Sequence, residues 1–281
     1  MEPIVTFLIL AAALMHATWN TLVKVDDDRL MTMVVVIGTT GLLAPFLLLL
    51  GPSPTIESWP YIVASAILNN IYFLFLIEAY RVGDFSHSYP LARGSAPLMV
   101  AVGAMFFGGE TLGIGEILGI AFISAGIISL MWGGGLKLGW APLVYPLLTG
   151  SMIASYTIVD GIGVRLSGSP VGYVGWLFII SPIPLCVIAL VRRGVGAFAF
   201  LSKQWRRGVI GGLCNLISYG IAIWALTFTA MANVSALRET SVVIAALIGS
   251  RVLGEAFGLR RLVSAVGVFL GIVMISFSAA Q

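Results

Sequence analysis

Apolar residues run along this chain in stretches of about twenty, separated by short polar or glycine- and proline-rich breaks. A bilayer core about 30 Å thick is crossed by roughly 20 residues of α-helix, so each stretch has the length of a membrane span. The template predicts helices at 4–23, 30–50, 60–80, 85–107, 113–132, 140–160, 171–191, 208–229, 231–252 and 261–279. The fourth and ninth each enclose an arginine, Arg93 and Arg238, and both must cross if their neighbours are to connect.

Composition turns this pattern into a class. Of 281 residues, 59% are hydrophobic and 10% charged, with a mean hydropathy of +1.05, unlike any soluble domain of this length. The expected fold is all-α and integral to the membrane, with ten transmembrane helices. The net charge of +3 does not indicate nucleic acid, because the basic residues are dispersed among loops and not gathered on one face. The opening MEPIVTFLILAAAL has no basic leader and runs straight into a full span, which predicts a retained helix. Cys186 and Cys214 lie in apolar stretches without metal-like spacing and read as packing residues. No metal site or cofactor is expected.

Numbering the loops alternately places Lys24, Arg29, Arg81, Lys137, Arg192, Arg193, Lys203, Arg206, Arg207, Arg251, Arg260 and Arg261 on one side, and Arg165 alone on the other. The positive-inside rule makes the first side cytoplasmic and both termini external. The longest loop, 192–208, mixes basic residues with Phe198, Phe200 and Trp205, as suits a segment lying on anionic headgroups.

The chain also repeats itself. A shift of 145 residues superposes Asn70 on Asn215, Arg93 on Arg238, Gly109-Glu110 on Gly254-Glu255 and Gly126-Ile127 on Gly271-Ile272. Two five-helix halves follow, 1–133 and 140–281. Five is odd, so the second half enters the membrane from the opposite side and the repeat is inverted, the architecture of alternating-access transporters.

The residues HATWNTLVK in the first helix, the run from Pro97 to the GGE at 108–110, the glycine-spaced helix after it, and LGE at 253–255 resemble two EamA domains of the drug/metabolite transporter superfamily, over essentially the whole chain. Within it, HATWN with YPLARGSAPL is similar to bacterial inner-membrane permeases of mostly unassigned substrate, some associated with phosphonate use. The resemblance implies a multi-pass protein of the bacterial inner membrane. Where that family has a proline in the ninth helix, this chain has Val242.

Arg93 and Arg238 lie roughly 10–12 Å into their helices from opposite faces. Burying an arginine at that depth costs at least about 2.5–3.5 kcal/mol, so a matched pair points to a shared polar cavity that binds substrate. The alternative is that each arginine pairs internally, for example Arg238 with Glu239 or another acid, or hydrogen-bonds to free carbonyls. Pro97 and Pro90 free the carbonyls of Arg93 and Ser86 and should kink the fourth helix. Asn70 and Asn215 sit mid-helix at matched positions, to bind substrate or to bridge helices. His16, Trp19 and Asn20 share a face by i, i+3, i+4 spacing, and Tyr156 and Thr157 take the corresponding places in helix six, followed by Asp160. Glu78 and Glu239 are candidates for proton coupling, although Glu78 precedes Arg81 by three residues and suits a local ion pair. Glu110 and Glu255 read as helix N-terminal charges. The spacings Gly115-xxx-Gly119 and Gly267-xxx-Gly271 serve packing within the bundle or a homodimer.

These features favour a secondary transporter working by alternating access on a small organic anion or zwitterion, with the lipid bilayer as its surroundings. No GxxxxGK[ST] loop is present, which excludes ATP-driven transport by this chain alone. The alternatives are an intramembrane enzyme or a lipid-handling protein acting on lipid-linked substrates. Paired acids, HExxH and a nucleophile with its base are all missing from the sequence, so no enzyme is expected.

Overall fold

Long apolar segments flanked by turn residues leave the backbone no partner but itself in a membrane, and helices result. The computed structural model describes residues 2–24, 26, 28–83, 85–131, 140–194, 196–252 and 259–278. Positions 132–139, 253–258 and 279–281, which include Lys137, Glu255 and the expected ends of the halves at 133 and 281, lie outside the described residues.

The helices are α1 (Pro3–Lys24), α2 (Arg29–Leu43), α3 (Trp59–Val82), α4 (Phe85–Phe107), α5 (Ile114–Ile128), α6 (Ala141–Ser167), α7 (Pro170–Ile180), α8 (Ile183–Arg193), α9 (Gly196–Lys203), α10 (Trp205–Ala225), α11 (Met231–Val252) and α12 (Leu259–Ser278). No strand occurs among the described residues. Among the described residues, eight segments are long and apolar enough to cross a membrane: α1, α2 with its extension to Leu49, α3 with its lead-in from Ile56, α4, α5 with Ser129–Met131, α6, α7 joined to α8, and α10. Apart from these, α11 carries Arg238, Glu239 and Arg251, and the apolar stretch of α12 is shorter.

Two spans break at proline. Pro45 turns the end of α2 into a tighter 3-10 helix, Ala44–Leu49, and Pro182 separates α7 from α8. α4 runs through both Pro90 and Pro97, and α11, with Val242, is unbroken. α6 extends to Ser167, seven residues past the predicted end, because α6 exceeds the 20-residue template.

Contacts fix the neighbours. α5 lies against α12, α3 and α4 against α6, α1 against α10 and α11, and α4 against α11. The α5–α12 seam is where the glycine spacing acts. A Cβ at Gly119 would stand 2.8 Å from the carbonyl oxygen of Gly271, and one at Gly271 would stand 2.5 Å from that of Gly119. Backbones this close tolerate no side chain, so these glycines pack the bundle internally.

Ion pairs tie the two ends of the bundle. At one end Arg207 pairs with Asp26, and Arg193 Nη2 reaches Asp28 Oδ2 at 2.5 Å, linking the α1–α2 turn to the segment around α9. At the other end Arg165 Nη2 meets Glu110 Oε1 at 2.6 Å, and Arg165 also donates to the carbonyls of Leu226 and Thr229. The carboxylate of Glu110 accepts from the backbone N–H of Met231 and so caps α11. Glu116, not Glu110, serves the start of α5, accepting from the N–H of Gly113 at 2.8 Å.

Candidate functional site

Arg93 sits where α4 packs against α11 and is 3% exposed. Its Nε stands 2.7 Å from Oε2 of Glu239, a close charge pair and not an aligned hydrogen bond. Its Nη2 lies 2.9 Å from Nε2 of His16 on α1. A guanidinium only donates, so that imidazole nitrogen is the acceptor. The Tyr89 ring lies under the same guanidinium, 5.9 Å from its centroid.

Arg238 and Glu239 are consecutive on α11, and consecutive helical side chains diverge by about 100°. Glu239 therefore turns toward α4, and Arg238 toward α10, where it lies 5.0 Å over the ring of Tyr219. Internal pairing does form, as the alternative reading expected, but through Arg93 and not between Arg238 and Glu239. Glu239 instead serves Arg93, across the two sequence halves.

Around these charges stand the helix-one residues in the expected array. Trp19 Nε1 approaches Nδ1 of His16 at 3.3 Å with the rings edge to face, and Asn20 Nδ2 donates to the His16 carbonyl at 2.9 Å. Trp19 is buried and packs edge to face against the imidazole. Tyr156 of α6 is also buried, with ring centroids 6.4 Å from Tyr219 and 6.2 Å from Tyr72. Two arginines, a carboxylate, an imidazole and a wall of phenols thus converge from six helices. Such a group can bind a small polar molecule by charge-assisted hydrogen bonds with aromatic flanks.

Other predicted residues lie elsewhere. Asn70 Nδ2 donates to the Ser181 carbonyl at 3.2 Å, at the α7–α8 break, and Asn215 Nδ2 to the Thr40 hydroxyl at 3.2 Å, near the end of α2. Both amides bridge helices. Glu78 forms the local pair with Arg81, 2.7 Å apart, near the partly exposed end of α3.

Asp160, which follows Tyr156 and Thr157 in the sequence, has no role in the sequence reading. It is 1% exposed in the interior of α6 and accepts from Tyr219 at 2.6 Å and Tyr173 at 3.0 Å. Ending the sixth helix at 160 placed this carboxyl at a membrane edge. The longer helix brings it inside, with Tyr219 between it and Arg238. The signal available was the polar triplet Tyr156, Thr157, Asp160 on one helical face.

The chain matches the EamA-like transporter family over residues 3–132 and again over 140–277. A WAT1-related chloroplastic protein of Arabidopsis thaliana is 26% identical over 201 residues, 65% of this chain and 46% of that protein. The chain thus spans about half the length of that curated relative. One solved crystal structure of a protein superposes with a TM-score of 0.74 over 99% of this chain and 96% of its own, at 14% identity, a likeness of fold.

Proposed function

Because the chain belongs to the EamA-like transporter family, we propose that it is a secondary transporter that moves a small organic anion or zwitterion by alternating access. The observation that carries this reading is the pair Arg93 and Arg238, both buried at matched positions of the sequence repeat, the first against Glu239 and the second over Tyr219. Two cations against one carboxylate on α4 and α11 leave positive charge for a substrate's carboxylate or phosphonate, and Glu239 provides for an ammonium. Tyr156, Trp19, Asn20 and His16 line or orient this centre, whereas Asn70 and Asn215 hold the helices around it.

On this reading ten helices cross, with α7 and α8 forming one crossing and α9 lying at the surface. The halves form an inverted repeat. Supporting this, α1 packs on α10 and α11 as α6 packs on α3 and α4, the arrangement that a two-fold axis through the α4–α11 and α5–α12 contacts would generate. The amides agree, since Asn70 reaches the broken seventh crossing and Asn215 the second. Ion pairs at both ends and buried charges at the centre fit a state closed to both sides. The basic end is cytoplasmic, and the membrane is a bacterial inner membrane.

The test is uptake by liposomes holding the purified protein, with labelled carboxylates, phosphonates and amino acids supplied in turn and counterflow measured. Saturable uptake of a member of this panel is expected. Uptake confined to organic cations would overturn the reading.

A further inference from the structure

Four side chains of formal charge are buried among the described residues: Arg93, Arg238, Glu239 and Asp160, exposed by 3%, 9%, 2% and 1%. Two cations and two carboxylates sum to zero. Three of them belong to the candidate site, and the fourth, Asp160, has been given no task. Its partners are hydroxyls, from Tyr219 and Tyr173. Tyr219 joins it to the site directly, because the hydroxyl lies on Asp160 while the ring lies under Arg238.

We propose that Asp160 is the proton-binding site that couples transport to the proton gradient, taking up one proton for each net negative charge of substrate bound at Arg93 and Arg238. This rests on the anion-site reading above. The argument is one of charge. Empty, with Asp160 ionised, the buried group is neutral. With a monoanion bound and a proton on Asp160 it is neutral again. Anion without proton leaves a net −1, and proton without anion a net +1, each an uncompensated charge that a membrane interior disfavours strongly. The two ligands therefore bind and cross together, which is electroneutral symport. A zwitterion adds no net charge and crosses without a proton.

The surroundings of Asp160 allow this role. Facing it are Ser65 from α3, Tyr173 from α7, Tyr219 from α10 and Arg238 from α11. On its own helix the neighbouring titratable group is Tyr156, and Arg93 on α4 is engaged by Glu239 and His16. Glu57, in the turn packed on α6, is exposed. Arg238 is thus the cation whose field Asp160 answers, and Tyr219 is the positioning residue between them. A proton arriving at a carboxylate oxygen finds a phenol oxygen within hydrogen-bond reach to accept from the new O–H.

Two measurements on the full-length protein in detergent test this. Infrared difference spectra between acid and alkaline buffers should show a carboxylic-acid C=O band that vanishes in Asp160→Asn, shifts in Asp160→Glu, and changes frequency in Tyr219→Phe. A spectrum in which Asp160→Asn or Asp160→Glu moves no band overturns the proton site whatever the substrate. In unbuffered solution with a pH dye, lactate or benzoate should draw one proton into the wild type per anion bound and none into Asp160→Asn, while alanine draws none in either. Anion binding without proton uptake by the wild type, or with unchanged uptake in Asp160→Asn, overturns the coupling. Failure of the wild type to bind either anion removes the anion site itself, and the infrared band still decides for or against Asp160.

Discussion

Arg93 of the first half and Glu239 of the second stand 2.7 Å apart in the buried contact of α4 with α11, each the counter-charge of the other. Removing one member strands the other in low dielectric, a loss of about 3–5 kcal/mol. Arg93→Gln and Glu239→Gln should each lower the thermal midpoint in detergent. The double variant should recover most of that loss, because no lone charge remains, yet fail in uptake. A double variant no more stable than Arg93→Gln would refute the pairing.

Glu110 fastens three elements, pairing with Arg165 of α6 and accepting the N–H of Met231 at the start of α11. Hydrogen bonds to a charged group contribute about 1.5–3 kcal/mol each, so Glu110→Ala should shift the balance toward opening at this end by roughly ten-fold or more. A cysteine introduced at Ser65, in a chain with Cys186 and Cys214 replaced by serine, should then react faster with a membrane-impermeant maleimide applied from the Glu110 side. Equal labelling rates with and without Glu110 would show that this ion pair is no gate.

The all-helical, membrane-spanning class was legible because hydropathy reports on lipid-facing length, which acts locally. Helix-one spacing likewise placed His16, Trp19 and Asn20 together. The partner of Arg93 was not legible, since Glu239 lies far away in sequence and its nearest cation, Arg238, is turned away by helical geometry. Glu110 misled for a related reason: it stands beside α5 in the chain but caps α11 in space. Asp160 was lost to a template of fixed length, because nothing in hydropathy tells a long buried helix from one that ends at the interface.

The α5–α12 seam admits no side chain. Gly119→Val places a Cβ 2.6 Å from Ile275 Cγ1 and 2.8 Å from the Gly271 carbonyl, beyond what a rotamer change relieves. The overpacking should cost about 1–3 kcal/mol or more and reduce the monodisperse fraction in size-exclusion chromatography. Gly196, where an added Cβ meets nothing within 4 Å, should accept alanine with unchanged yield.

Orientation follows from the loop charges, most of which lie at the end where Asp26 and Asp28 pair with Arg207 and Arg193. A reporter active only in the cytoplasm, fused after Gln281, should be inactive, and one placed within 196–204 should be active. Activity of the first fusion would reverse the sidedness.

The central claim is that positive charge shared by Arg93 and Arg238 binds the transported anion. Arg238→Gln tests it most directly, because this guanidinium lies over Tyr219 with no ion-pair partner among the described residues, so its loss abandons no acid at contact distance. Initial uptake of a labelled carboxylate into liposomes, measured beside the melting curve of the same preparation, should fall roughly ten- to a hundred-fold with folding retained. Arg238→Lys should recover part of it, keeping charge without the planar fork. Wild-type uptake by well-folded Arg238→Gln would contradict the account.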